Sequence, residues 1–266
     1  MMNFFDLQDI ADSQIEILSP CTTEQLLRIG RHLKLASASR VIDFGCGKGE
    51  LLSQWGKEFG VSGVGIDIRT SCTNQAQAKI NAHNLTEKID IVHGKVTEYD
   101  FESNSFDTGI CIASSYTWGG FRESLAGMKS AIKPDGKLVI GEAYWQTDRV
   151  DSKFREEEPF FTETELLKIT REENLDFEFM FRASREIIDN YESEHWRGFI
   201  NWIEANPDHP EVNNIVKHLH KIQNEYFYFD RNNLGWAIYI LNPVKYKKYE
   251  KTAKIEPSAI LSAASF

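Results

Sequence analysis

One stretch constrains this chain more than any other: Val41-Ile-Asp-Phe-Gly-Cys-Gly-Lys-Gly-Glu50. Arg40 to Phe44 reads as a short apolar strand with Asp43 inside its end. It runs into glycines at alternate positions, Gly45, Gly47 and Gly49, before an amphipathic pattern begins. Glycine permits a turn at positive φ and lets a ligand press on main-chain atoms where a β-carbon would otherwise stand. At a strand's carboxyl end, the N–H groups of such a loop and the helix N-terminus behind it face a crevice suited to a nucleotide.

The flanking sequence predicts an alternation of strands and helices. Thr22 followed by Gln25 is a capping-box pattern, and Leu26, Leu27, Ile29 and Leu33 then share one helical face. Behind the glycines, Leu51, Leu52, Trp55 and Phe59 mark a helix ended by Gly60. Strands are expected at Val61 to Ile68, Ile89 to His93, Phe106 to Ala113, Lys137 to Gly141, Phe177 to Arg182 and Leu234 to Leu241, the last at a sheet edge. Helices are expected at Cys72 to Asn84 (introduced by Ser71), Phe121 to Ile132, and Phe161 to Asn174 with Thr162 as cap. Lys133-Pro-Asp-Gly136 reads as a turn. Such alternation is the signature of βαβ units and a parallel sheet. Met1 to Pro20 is an ordered lid or an irregular arm. Two further apolar stripes, Ile187 to Ile203 and Ile215 to Ile222, predict a helical cap over about 184–225, inserted before the last strand. Residues 1–242 form one α/β domain and 243–266 a tail.

Composition removes several function classes. The net charge of -10 works against a phosphate backbone, which requires clustered Lys and Arg, so no nucleic-acid partner is expected. The basic run Lys245-Tyr-Lys-Lys-Tyr-Glu-Lys251 reads as a solvated end. No run of eighteen apolar residues and no signal-peptide pattern occurs, so a cytoplasmic protein without a membrane partner is expected. The cysteines at 21, 46, 72 and 111 form no C-x-x-C pair, which predicts reduced thiols and no metal site.

The glycine loop alone is a weak signal, but its context narrows it. The pattern is D-x-G-x-G-x-G, not the G-x-G-x-x-G of a dinucleotide site, and Asp67 ends the next strand, Gly63-Val-Gly-Ile-Asp67. A carboxylate at that strand tip is placed to accept both hydroxyl hydrogens of a ribose. These residues resemble the nucleoside-binding motifs of class I S-adenosylmethionine-dependent methyltransferases over about residues 20 to 145. Gly141-Glu-Ala-Tyr-Trp145, Tyr191-Glu-Ser-Glu-His-Trp196 and Leu234-Gly-Trp236 are similar to a bacterial small-molecule subfamily. The resemblance implies a Rossmann-like methyltransferase fold with a mostly parallel seven-stranded sheet, S-adenosylmethionine as cofactor and S-adenosylhomocysteine as product. By the same resemblance Asp43, Gly45, Cys46, Gly47 and Gly49 contact the amino acid and ribose of the cofactor, Asp67 the ribose hydroxyls, and Ile68 the adenine face. Ala113 lies near the methionine portion. Lys95 departs from the family's acidic residue, leaving the adenine edge to the backbone near Lys95 and Val96 or to another side chain.

Substrate-side candidates lie where strands four and five end: Tyr116 and Trp118 after the fourth, and Glu142, Tyr144 and Trp145 after the fifth. The aromatics either face a cationic amine with Glu142 as counter-charge, enclose a neutral ring, or pack the core. Tyr191, His195 and Trp196 of the cap are further candidates, with Tyr116, Glu142 and His195 as catalytic groups; His195 reads either as a general base or as a structural histidine. Phe154, Phe160 and Phe161 flank an acidic run, Glu156 to Glu158, at the site entrance. The expected function is methyl transfer to a small molecule by a monomer or homodimer. The alternatives are a non-catalytic S-adenosylmethionine-binding protein, an NAD-dependent oxidoreductase, whose glycine spacing differs, and a lipid-modifying cyclopropane synthase, against which the acidic charge argues.

Overall fold

The computed structural model describes residues 2–147 and 160–244. Phe154, Glu156 to Glu158 and the basic run from Lys245 lie outside them. Eight strands are present among the described residues: β1 Arg40–Phe44, β2 Ser62–Asp67, β3 Ile89–His93, β4 Phe106–Ile112, β5 Ile132–Trp145, β6 Phe161–Thr162, β7 Leu175–Arg182 and β8 Leu234–Pro243. Seven follow one another in the order β3-β2-β1-β4-β5-β8-β7, and the two-residue β6 pairs with β5. The first five along this path are parallel, whereas β8 runs antiparallel between β5 and β7. The mostly parallel, Rossmann-like sheet is thus present. The order reverses direction between β1 and β4, which opens a crevice at the carboxyl ends of those strands.

Three local expectations are corrected. The last strand is not an edge: Gly235 to Leu241 is buried throughout, the pattern of a strand covered on both faces. The turn expected at Lys133 to Gly136 is absorbed into β5. Phe106 pairs with Ile132 and Thr108 with Lys137, so the residues between form a bulge, as Pro134 has no N–H for the ladder. The same strand continues past Gly141, so Glu142, Tyr144 and Trp145 are strand residues held against β8, not loop residues following it.

The helices that position the crevice are α1 Phe4–Ala11, α2 Thr23–His32, α3 Glu50–Phe59, α4 Thr70–Ala82, α5 Phe121–Ala131, α6 Glu163–Glu172, α7 Arg185–Ala205 and α8 Val212–Glu225. Both predicted capping boxes form, at Thr22 with Gln25 and at Thr162 with Glu165. Ser71, by contrast, does not cap α4; the preceding Arg69 occupies the cap position and the Ser71 hydroxyl donates to Asp9. Helices α2, α3 and α4 cover one sheet face through Leu26, Ile29, Leu52, Trp55 and Ile80. Helices α5 and α6 cover the other through Phe121, Leu125, Met128, Leu166 and Ile169. The Trp55 indole donates to Leu26 O at 2.8 Å, fastening α3 to α2.

A third core lies above the crevice. Ile10 and Ala11 of α1 pack with Phe199 of α7 and with Ile215 and Leu219 of α8. The N-terminal segment is therefore an ordered helix joined to the cap. A β-carbon at Gly198 would stand 2.4 Å from Ile10 O and 2.5 Å from Ala11 O, so glycine is what lets α7 cross the end of α1. A five-residue π-helical segment, Tyr226–Asp230, leads from α8 towards β8.

Candidate active site

The loop from Phe44 to Gly49 is built as the glycine spacing requires. Gly45, Gly47 and Gly49 all sit at positive φ, 90°, 51° and 69°. The Gly45 and Cys46 N–H groups both donate to Ile66 O, at 2.8 and 3.0 Å, which folds the loop over the end of β2. Gly45 admits no larger residue: a β-carbon would lie 2.4 Å from Ser114 Cβ, and the Ser114 hydroxyl itself donates to Phe44 O at 2.6 Å. The loop and the end of β4 are thereby locked together.

Asp67 stands at the tip of β2, each carboxylate oxygen accepting one backbone N–H: Oδ2 from Gly47 at 2.8 Å and Oδ1 from Arg69 at 2.9 Å. An ionised carboxylate accepts about four hydrogen bonds, so both oxygens keep capacity for a vicinal diol. Burial raises the Asp67 carboxyl above its ordinary range, against the pull of those two donors. Asp43 is buried one strand away; burial first, and then the nearby Asp67 charge, raise it to about 8.

A cavity of about 370 Å³ opens over this loop. Gly45, Gly47, Asp67, Ile68, Lys95, Val96 and Ala113 line it from the sheet side. Phe4, Phe5 and Gln8 of α1, with Tyr191 of α7, close it from above. Asp43 and Cys46 lie instead on a smaller cavity of about 50 Å³, which shares Leu18, Gly45, Gly47 and Ile112 with the first as walls. Gly49 caps α3 behind the loop. The Lys95 ammonium turns away to Glu98 at 2.7 Å on the surface, so at this position the cavity wall is backbone and Val96.

Two other cavities share Ala113 with the first as a wall, a non-glycine residue held at φ 55° just past β4. One, about 400 Å³, is walled by Tyr116, Glu142, Phe160 and Trp236. The other, about 180 Å³, lies under the cap and is walled by Arg185, Tyr191, Glu192, Tyr226 and Trp236. Burial raises the Glu142 carboxyl to about 7 despite a bond from the Ser115 hydroxyl, and its Oε2 is buried without a partner. Tyr116 is 65% exposed and overhangs both the first cavity and that of Glu142.

Several candidates are placed elsewhere. Trp118 packs edge-on against Phe44 and under Gly127, in the core. Trp145 is fully buried between Phe160 and Phe229. Tyr144 is buried with Arg182 over its ring, and Trp196 packs on Tyr226 and Phe227. None of these four borders the three cavities. His195 does not border them either: its Nε2 meets Asp12 Oδ1 at 3.2 Å and its Nδ1 lies 3.8 Å from Glu192. Burial alone would depress His195, but its bonds to Asp12 and Glu192 outweigh it and raise the imidazole to about 9, so it is a cation near neutral pH. A protonated, paired imidazole is a clamp and not a general base.

Asp12, Lys48 and Arg69 belong to the site without having been picked out by local pattern. Asp12 is buried; burial would raise it, yet His195 and Arg69 hold it below its ordinary range. Arg69 joins Asp12 at 2.6 Å to Asp9 at 2.6 Å. The buried Lys48 ammonium donates to Asp12 O and Ile15 O, at 2.8 and 2.7 Å, tying the chain after α1 down to the glycine loop. Arg69, two residues beyond Asp67, was the one with a positional signal. The partners of Asp12 lie 57 and 183 residues away, so no local pattern marks it.

The comparisons with known proteins agree with this geometry. A family described as a methyltransferase domain matches residues 41–136, from β1 through the start of β5. An uncharacterised protein of Escherichia coli strain K12, YjhP, is 27% identical over 87% of this chain and 96% of its own. Structures of S-adenosylmethionine-dependent methyltransferases from Thiobacillus denitrificans and Geobacter sulfurreducens, each in complex with S-adenosylhomocysteine, superpose with a TM-score of 0.83 at 26% identity. Each covers 91% of this chain and all of its own. With β1, its glycine loop and Asp67 inside the matched segment, residues 41–136 carry a methyltransferase domain, and over nearly its full length the chain has the fold of the S-adenosylmethionine-dependent methyltransferases.

Proposed function

We propose that the protein moves a methyl group from S-adenosylmethionine to a small molecule at the Ala113 junction. The observation that carries this is that one residue, Ala113, walls three cavities: a nucleoside-sized one over Gly45, Gly47 and Asp67, and two others on the side of the sheet end and the cap. The donor set fits the cofactor. Asp67 offers spare acceptor capacity to the ribose hydroxyls, Ile68 and Val96 offer apolar faces to the adenine, and the backbone at Lys95 and Val96 its edge contacts. The small cavity at Asp43 and Cys46 suits the amino-acid end. When bound, the cofactor supplies an electrophilic methyl group on a sulfonium. The chain's own part is to hold an acceptor in line and keep water out, and alignment alone contributes substantially to such a displacement. Tyr116 and Tyr191 each wall the first cavity and one of the other two, and Glu142 is the titratable group placed to take a proton from an acceptor.

No helix among the described residues is long and apolar enough to cross a membrane, and none of their His, Cys, Asp and Glu side chains cluster as a metal site. A cytoplasmic setting is part of the proposal. The test is incubation of the purified protein with methyl-labelled S-adenosylmethionine and a bacterial metabolite extract. A labelled small molecule and stoichiometric S-adenosylhomocysteine are expected. Cofactor binding with no labelled product in any extract contradicts transfer and leaves a binding protein.

A further inference from the structure

Tyr191 of α7 carries a hydroxyl that the fold leaves unused. Among the described residues it has no hydrogen-bond partner, yet it is not one of the unpaired side-chain atoms sealed away from solvent, so it reaches open space. Three cavities have Tyr191 as a wall: the one over the glycine loop, the one under the cap, and one of about 360 Å³ between the chain after α1 and α7. Among the described residues only Ala113 also walls both of the first two, and its side chain offers no polar atom. The Tyr191 ring is fixed. It meets the His195 imidazole edge-on, with ring centres 4.5 Å apart at 68°, and His195 is itself held by Asp12 at 3.2 Å and Glu192 at 3.8 Å. Tyr116, the other tyrosine on the glycine-loop cavity, is exposed and makes no ring contact among the described residues. Burial first, and then the charges of Asp12 and Glu192, raise the Tyr191 phenol well above its ordinary range. It therefore stays neutral, able to donate and to accept a hydrogen bond but not to act as a base.

We propose that Tyr191 orients the methyl acceptor, and that the atom it orients is an oxygen or nitrogen bearing hydrogen. A hydroxyl oxygen that accepts the acceptor's own O–H or N–H leaves the lone pair on that atom free and turns it towards the glycine-loop cavity. The lone pair forms the new bond to carbon, the carbon–sulfur bond breaks with its electron pair going to sulfur, and the acceptor's proton leaves to Glu142 or water. Tyr191 neither gains nor loses a proton. A carbon nucleophile would make no such bond and would have no use for the hydroxyl. Because the ring is already held by its contact with His195, little side-chain freedom is lost when the acceptor arrives, which is the condition for alignment to speed a displacement. This inference rests on the proposed transfer, since it names the orienting group and the class of acceptor for the same site.

The test is Tyr191→Phe in the full chain, with methyl-labelled S-adenosylmethionine and a bacterial metabolite extract as the probe. The variant keeps the ring and removes only a hydroxyl without a partner in the described fold, so it should melt like the wild type. Its saturating rate of labelling is expected to fall about 10- to 100-fold. S-adenosylhomocysteine affinity by calorimetry and the half-saturating S-adenosylmethionine concentration should stay as in the wild type, a split that a packing role would not produce. The wild-type product should carry its new methyl group on oxygen or nitrogen, read by mass spectrometry and NMR. A full rate in Tyr191→Phe, a loss that follows weakened S-adenosylhomocysteine binding, or a carbon-methylated product overturns the proposal. No labelled product from the wild type would instead contradict the proposed function on which it rests.

Discussion

At the scale of single residues, the site is decided by what cannot be larger and what cannot be apolar. Gly45→Ala places a β-carbon 2.4 Å from Ser114 Cβ at a φ of 90°. A cost of about 1 to 3 kcal/mol in stability is expected, with loss of S-adenosylhomocysteine binding. Thermal denaturation checks the first and calorimetry the second. Adding Ser114→Gly to the same chain removes the clash but not the strained φ, and should restore only part of the stability. Lys48→Met leaves Asp12 O and Ile15 O without their donor and should cost about 1 to 3 kcal/mol. If Lys48→Met melts like the wild type, the lysine does not hold the N-terminal segment.

Between helices and strands, the same physics fixes what was legible in advance. Elements with a local signature came through: the capping boxes at Thr22 and Thr162, the glycine loop, and Asp67 at a strand tip. What depended on distant partners did not. The expected turn at Lys133 to Gly136 became a bulge because Phe106 and Thr108 of β4 dictate the pairing. Trp118 and Trp145 looked like binding aromatics because residue type alone does not distinguish a cavity wall from a core. His195 shares a helix with Tyr191, but it turns to an aspartate 183 residues away.

That contact defines the element-scale behaviour of the cap, since Asp12 joins the segment after α1 to α7 through His195 and to the β2 tip through Arg69. His195→Leu leaves a buried carboxylate short of one partner. Hydrogen exchange should quicken in α1 and α7 while β1 and β4 keep their protection. Uniform protection in the variant would show that the clamp does not hold the cap. Trp55→Ala, in the sheet layer, should cost about 3 to 5 kcal/mol, read from denaturant unfolding.

At the scale of the whole molecule, three raised groups set the response to pH between about 6 and 9, against one imidazole, His218, that burial lowers. His195 is raised to about 9, Asp43 to about 8 and Glu142 to about 7. All three values exceed those of the unfolded chain, so between about pH 6 and 9 the folded state holds more protons than the unfolded one. Stability must then fall as pH rises through that window. Asp12 and Glu50 are lowered and stay ionised throughout it, so they set only the acid limit. The melting temperature of the ligand-free protein should decline from about pH 6 to 9; a flat or rising profile would mean that these groups are not buried as described.

The central claim is that the Gly45 to Gly49 loop and Asp67 hold an adenosyl group joined to an amino acid. Titration of S-adenosylhomocysteine into the wild type and into Asp67→Ala, followed calorimetrically, tests it most directly. Asp67 both orients Gly47 N–H and faces the cavity, so saturable one-to-one binding by the wild type is predicted. In the variant it should be weaker by about 1 to 3 kcal/mol, roughly five- to 150-fold. No binding by the wild type, or equal affinity in the two proteins, would contradict the account.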